Sequence, residues 1–225
     1  MRMRAEVQPT EVAPSQLLLA WRDPSSFSNW LPMLSSAALL RDAAAPASPH
    51  RPLDATLHIE LALAFGFVDL GFIDLVLRSF ACELPAADGA RGGVLLCLRP
   101  LRQSDLDDEA VADGRVQAMR MPPHPRTAHP DKAVTARLQA SIDVLCEPVS
   151  STSARYVVQL TLPTKPSTPR WLVTNLLQRC VSDIATRLPN HVRHAATMPK
   201  LVAATEAEAE AEAAAARWAE ARLDN

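Results

Sequence analysis

The chain has 225 residues, 48% of them hydrophobic, and a formal net charge of −2. That length supports a domain with a sizeable core, and the composition excludes a disordered chain. Basic residues are scattered rather than clustered, so a nucleic-acid footprint is excluded and no nucleic-acid partner is expected.

Met1 to Gln8 reads as an opening strand. Val12 to Leu34 reads as helix, broken at Asp23-Pro24-Ser25-Ser26 and resumed as a second short helix. Pro14 suits a first helical turn, and Ser26 is a candidate cap for the second segment. Ala37 to Arg41 is a short strand, and Ala43 to Pro52 an alanine- and proline-rich loop.

Leu53 to Leu63 alternates apolar and polar residues without a break, which predicts a strand with one buried and one wetter face. Phe65 to Leu84 carries a short echo, Gly66-Phe67-Val68-Asp69-Leu70 then Gly71-Phe72-Ile73-Asp74-Leu75, and reads as a short helix or a bent strand. Leu61 to Leu77 is the stretch nearest to a membrane span. It contains Asp69 and Asp74, each costing about 2.5–3.5 kcal/mol at mid-span, so a buried element of a soluble protein is expected.

Val94 to Leu101 is a further strand, preceded by the turn signals Asp88-Gly89 and Gly92-Gly93. Ser104 to Asp113 reads as an acidic loop, Arg115 to Met121 as a strand and Pro122 to Asp131 as a loop. Val134 to Glu147 alternates again and reads as one strand. Ala154 to Leu162 is the last strand, followed by a proline-rich turn through Pro169.

The helix over Pro169 to Leu188 then sets Trp171, Leu172, Val173, Leu176, Leu177, Cys180, Val181, Ile184 and Leu188 on one stripe at three- and four-residue spacing. Arg170, Thr174, Gln178, Ser182, Asp183 and Arg187 take the other face. Thr205 to Leu223 is rich in Glu and Ala, strong helix formers, and with no apolar stripe it reads as a solvated tail helix; a docking surface around Trp218 is the alternative.

Candidate chemistry is sparse. Cys82, Cys97, Cys146 and Cys180 form no C-x-x-C pair and lack a zinc-ligand rhythm, so buried thiols, a reducing compartment and a cytoplasmic location are expected. Met1-Arg2-Met3-Arg4 is basic but no apolar run follows, so no signal peptide is read. His191 and His194 stand one helical turn apart but lack further ligands at metal spacing. No nucleophile elbow, phosphate-cradling glycine loop or His-Glu-x-x-His occurs, so no catalytic residue, metal or cofactor is assigned. His58, Glu60, Arg137, Gln139 and Asp143 alternate with core positions. An outward, solvated face is expected for them, with head-group orientation in a cavity as the alternative.

The order of elements resembles the helix-grip superfamily of START-type lipid-transfer domains, polyketide cyclases and coenzyme-Q-binding proteins. Two segments carry the resemblance: Ser28-Asn29-Trp30-Leu31-Pro32-Met33-Leu34 leading into Ala38-Leu39-Leu40, and Leu160-Thr161-Leu162-Pro163 through Pro169-Arg170-Trp171-Leu172-Val173-Thr174-Asn175. The match is to the shorter, START-like form. It implies an α+β helix-grip fold, a curved antiparallel sheet wrapped around a long C-terminal helix, with an apolar cavity between them.

Residues 1–198 would form that domain and residues 199–225 a Glu/Ala-rich tail helix. The implied function is binding, with or without transfer, of a lipid or other hydrophobic small molecule, with transient membrane contact compatible. Trp30, Leu57, Ile59, Trp171, Val173, Leu177, Cys180 and Ile184 are the ligand-binding candidates. The alternatives are a cyclase- or aromatase-type enzyme on the same fold, which needs titratable groups converging in the pocket, and a non-binding scaffold filled by its own side chains. The residues identify no protein partner and leave open which alternative holds.

Overall fold

The computed structural model describes residues 1–9, 11–31, 33–39, 55–65, 68–86, 92–101, 134–164, 170–195 and 206–224. The expected loop over Ala43 to Pro52, the elements expected between Ser104 and Asp131, and most of the turn before Pro169 lie outside them.

The chain opens with strand β1 (Arg2–Val7) and helix α1 (Pro14–Leu19), with Pro14 in the first turn as expected. Two 3₁₀ turns, Ala20–Arg22 and Pro24–Ser26, lead into the short helix α2 (Phe27–Trp30). Ser26 does not cap α2 through its side chain. Its Oγ donates instead to the carbonyl of Asp23 at 2.8 Å, and the Asp23 carboxylate accepts from the Ser25 amide at 3.0 Å. The cap therefore serves the preceding 3₁₀ turn.

Strands β2 (Leu34–Leu39), β3 (Ala55–Phe65), β4 (Val68–Leu84), β5 (Gly93–Pro100), β6 (Val134–Arg137), β7 (Ser141–Ser150) and β8 (Ser153–Thr161) follow. The long helix α3 (Arg170–Ala195) and a last helix α4 (Glu206–Leu223) close the chain. The sheet runs β1-β8-β7-β5-β4-β3-β2, antiparallel between neighbours, with β6 added to β4 in parallel.

Two strand expectations are resolved. The Phe65 to Leu84 segment takes the strand alternative and not the helix: Val68–Leu84 is a 17-residue strand, paired with β3 along one edge and with β5 and β6 along the other. Val134 to Glu147 is two strands: β6 pairs with β4, its last bond running from the Leu138 amide to Asp74 O at 2.9 Å, and the chain then crosses to pair with β5 as β7. Gly93 lets the start of β5 approach the far end of β7: a Cβ there would lie 2.9 Å from Glu147 Cγ and 3.1 Å from Cys146 O.

The strands curl into a half-barrel, and one face of it carries the core. Leu57, Ile59 and Leu61 on β3 stand beside Leu77, Leu75 and Ile73 on β4. The same face continues, shifted along β4 to Ser79 and Ala81, through Leu98, Leu96 and Val94 on β5, then Ile142, Val144 and Cys146 on β7, then Leu160, Val158 and Tyr156 on β8. All but the partly buried Ala81 are buried. Fully burying each aliphatic side chain contributes about 1.5–3 kcal/mol, so this face dominates the stability of the domain.

Candidate ligand-binding site

The concave face of the sheet and the helices laid against it form the one large apolar surface of the described residues. Helix α3 packs on β1 and β8 and against α2. Val173, Leu177, Cys180, Val181, Ile184 and Leu188 of α3 are buried in the same cluster as the sheet's inner row. The helix outruns its expected end at Leu188, continuing through Pro189 to Ala195. An interior proline removes one backbone hydrogen bond and costs about 3 kcal/mol. Burial of Leu188 and Val192 on either side of Pro189 offsets that cost.

Seven of the eight candidate ligand-binding residues lie in this cluster: Trp30, Leu57, Ile59, Val173, Leu177, Cys180 and Ile184. Trp171 does not. It is 58% exposed, so the buried stripe of α3 starts at Val173 rather than at Trp171.

Trp30 belongs to an aromatic group built by the turns after α1. Trp21 and Trp30 meet edge to face with centroids 4.9 Å apart, and Phe27 meets Trp30 at 4.8 Å. Trp30 Nε1 donates to Ser26 Oγ at 3.2 Å. Trp21 Nε1 donates to Tyr156 Oη at 3.1 Å across 135 residues of chain. Tyr156 is the only tyrosine of the chain and is fully buried. Sequence reasoning passed over it. The available signal was its place among Ala154, Val158 and Leu160, the inward positions of β8.

Charges sit on the opposite face of the same strands. Arg155 donates to Glu6 and to Glu147, each at 2.7 Å. Arg99 meets Asp143 at 2.5 Å, and His58 Nε2 lies 3.3 Å from Asp74 Oδ2. The expectation that His58, Glu60 and Asp143 point away from the core holds. The expectation that this face is solvated fails on β3 and β4, where Thr56, Glu60 and Asp74 are buried.

The inner face offers little acid–base chemistry. Burial pushes the Cys146 thiol up to about 12 and the Cys180 thiol up to about 11, so neither is a thiolate at neutral pH. Burial raises the Tyr156 phenol well above its ordinary value, an effect that the Trp21 hydrogen bond opposes. All four cysteines are free thiols, with Cys82 alone exposed. Among the described residues no three His, Cys, Asp or Glu side chains are grouped to hold a metal ion. No described helix is long and apolar enough to cross a membrane.

The tail helix is docked along one side rather than solvated all round. Ala215, Ala219 and Leu223 of α4 are buried in the core cluster, and the helix packs against α1. The Asp224 carboxylate accepts from the Ser15 amide at 3.0 Å and from the Ser15 hydroxyl, which fixes the end of α4 to the first turn of α1. Arg222 Nε reaches Glu83 at 2.6 Å and lies over the Trp218 ring.

No protein-family model and no curated protein matches the chain. Solved structures do. A STAR-related lipid transfer protein from Xanthomonas axonopodis aligns over 85% of this chain and 85% of its own, with TM-score 0.56 and 15% identity. Human StAR-related lipid transfer protein 5 aligns over 87% of this chain and 76% of its own, with TM-score 0.57 and 11% identity. Human STARD10 aligns at TM-score 0.56 and 10% identity over 85% of this chain, which spans 62% of that protein's chain. At such identities the likeness is one of architecture. The chain has the START-like helix-grip fold.

Proposed function

We propose that this chain binds one hydrophobic small molecule, a lipid or a compound of similar apolar surface, between the concave face of its sheet and α3. The observation that carries the reading is the division of the strands. Most described inward positions of β3, β4, β5, β7 and β8 are apolar, while the His58–Asp74, Arg99–Asp143 and Arg155–Glu147 pairs of the same strands lie outside. Ligand sites of this kind are mostly apolar with a few polar groups that fix orientation. The named lipid transfer proteins of the same fold support the reading by analogy.

In this reading Trp30, Leu57 and Ile59 contact the ligand from the α2 and sheet side, and Val173, Leu177, Cys180 and Ile184 from α3. Trp171 takes a different part. Exposed in the first turn of α3, it meets a membrane surface while ligand is exchanged, since tryptophan settles at the headgroup level.

A fluorescent fatty-acyl probe is expected to bind at about one per chain. Cys180→Trp, which adds bulk at the middle of the α3 stripe, should weaken that binding while circular dichroism is preserved. Trp171→Ala should lower co-sedimentation with lipid vesicles and leave probe binding intact. Absence of stoichiometric binding across varied apolar probes would favour a core filled by its own side chains.

A further inference from the structure

Tyr156 is the inward-facing side chain of β8 that carries a polar group, and its hydrogen bonding is half complete. Its neighbours across the ladder are Cys146 on β7 and Val7 on β1. Its oxygen accepts from Trp21 Nε1 at 3.1 Å. An indole N–H only donates, so Trp21 cannot receive the phenol hydrogen. Among the described residues no oxygen, nitrogen or sulfur accepts from Tyr156 Oη. Cys146 directs its own Sγ–H to the Pro14 carbonyl at 3.4 Å. A buried donor without an acceptor is rare in folded proteins and calls for a bound water or ligand. The bond from Trp21 also polarises the phenol, which makes its O–H the stronger donor.

We infer that the Tyr156 hydroxyl is the group by which this site reads its ligand, donating to an uncharged carbonyl oxygen, of an ester or a ketone, on an otherwise apolar molecule. The inference rests on the binding function proposed above and narrows its ligand class. A carboxylate is the wrong acceptor. The described inward positions of β3 to β8 carry no cation to pair with it, because Arg99 and Arg155 belong to the outer face. An ionised acid buried there without a partner is strongly disfavoured. Trp21 is a positioning residue in this scheme: it acts on the ligand only through Tyr156.

The test compares a long-chain methyl ester, the alkane of matched length and the free fatty acid, each displacing an apolar dye from the full chain. The ester is expected to bind about fivefold more tightly than the alkane, the worth of one net hydrogen bond. The acid at neutral pH is expected to bind more weakly than the ester. In Tyr156→Phe the ester's advantage should vanish while the alkane binds as before. An unchanged ester-to-alkane ratio in Tyr156→Phe overturns the inference and leaves the apolar-binding reading standing. Failure of all three probes in the wild type overturns both.

A second readout needs no variant. With one tyrosine in the chain, the ultraviolet resonance Raman doublet of tyrosine reports on Tyr156 alone. It should move toward the donor limit with ester and stay still with alkane. A doublet already at the donor limit without ligand, and unmoved by ester, assigns the hydrogen to an internal water and sinks the inference.

Discussion

The two faces of this sheet share every strand and differ in almost everything else. The described concave face is mostly Leu, Ile and Val, with Cys146, Ser79 and the Tyr156 phenol among them. The outer face holds Glu6, Arg155 and Glu147 in an exposed network at one end, and buried Thr56, Glu60 and Asp74 at the other. Alternation decides which face a residue takes, because a strand turns successive side chains to opposite sides. It does not decide whether that face meets water. The polar residues of β3 and the polar residues of β8 obey one sequence rule and live in different dielectric surroundings.

Substitutions graded across the two faces should break or sharpen that contrast. Leu57→Asp, at a fully buried inward position, should cost about 4 kcal/mol or more in urea unfolding, since it buries an unpaired charge. Thr56→Asp, one residue away on the outer face, would be mild if that face were wet. Thr56 is 4% exposed, so a loss of about 2 kcal/mol is expected instead. A loss under about 0.5 kcal/mol at Thr56 would mean that water reaches this part of the outer face after all.

Asp224→Ala should cost about 1 kcal/mol, because it removes the acceptor that the first turn of α1 uses for the Ser15 amide. Amide hydrogen exchange should then rise over both α1 and α4, although 209 residues separate Ser15 from Asp224. Exchange confined to α4 would mean that the tail helix docks without supporting α1.

Glu6→Gln should have the smallest effect, and only above acid pH. Hydrogen bonding by Arg155 holds the Glu6 carboxyl below its ordinary value of 4.5. Its contribution is therefore present above that pH and lost as pH falls through the depressed value. Wild type and Glu6→Gln should differ slightly at pH 7, less at 1 M salt, and converge as pH falls through the depressed value. A difference that does not shrink as Glu6 is protonated would remove the ion pair as its cause.

Much of this architecture is legible in the residues. Period-two alternation marks β3 and β7 and assigns their inner faces correctly. Three- and four-residue spacing marks α3, although Trp171 joins the stripe on paper and faces solvent in the fold. What the residues conceal is long-range. The docking of α4 rests on Ala215, Ala219 and Leu223, one small contact per turn, which leaves no broad apolar stripe to read. The break between β6 and β7 is a change of partner strand, from β4 to β5, which the unbroken alternation does not mark. The pairing of Trp21 with Tyr156 joins the first helical turns to the last strand, and no local pattern announces it. Of the candidate site, seven residues fall in one apolar cluster, and the buried Tyr156 hydroxyl of that cluster was invisible until the strands were placed.

Native mass spectrometry of the full chain purified under mild conditions tests the central claim most directly. The account predicts a folded protein carrying a neutral, hydrophobic small molecule at one per chain, released on gentle activation and extractable into organic solvent. It further predicts that protein stripped of that molecule takes up one equivalent of an apolar ester. Protein that arrives without a bound molecule, and takes up none from a panel of esters, alkanes and acids while remaining folded, would contradict it.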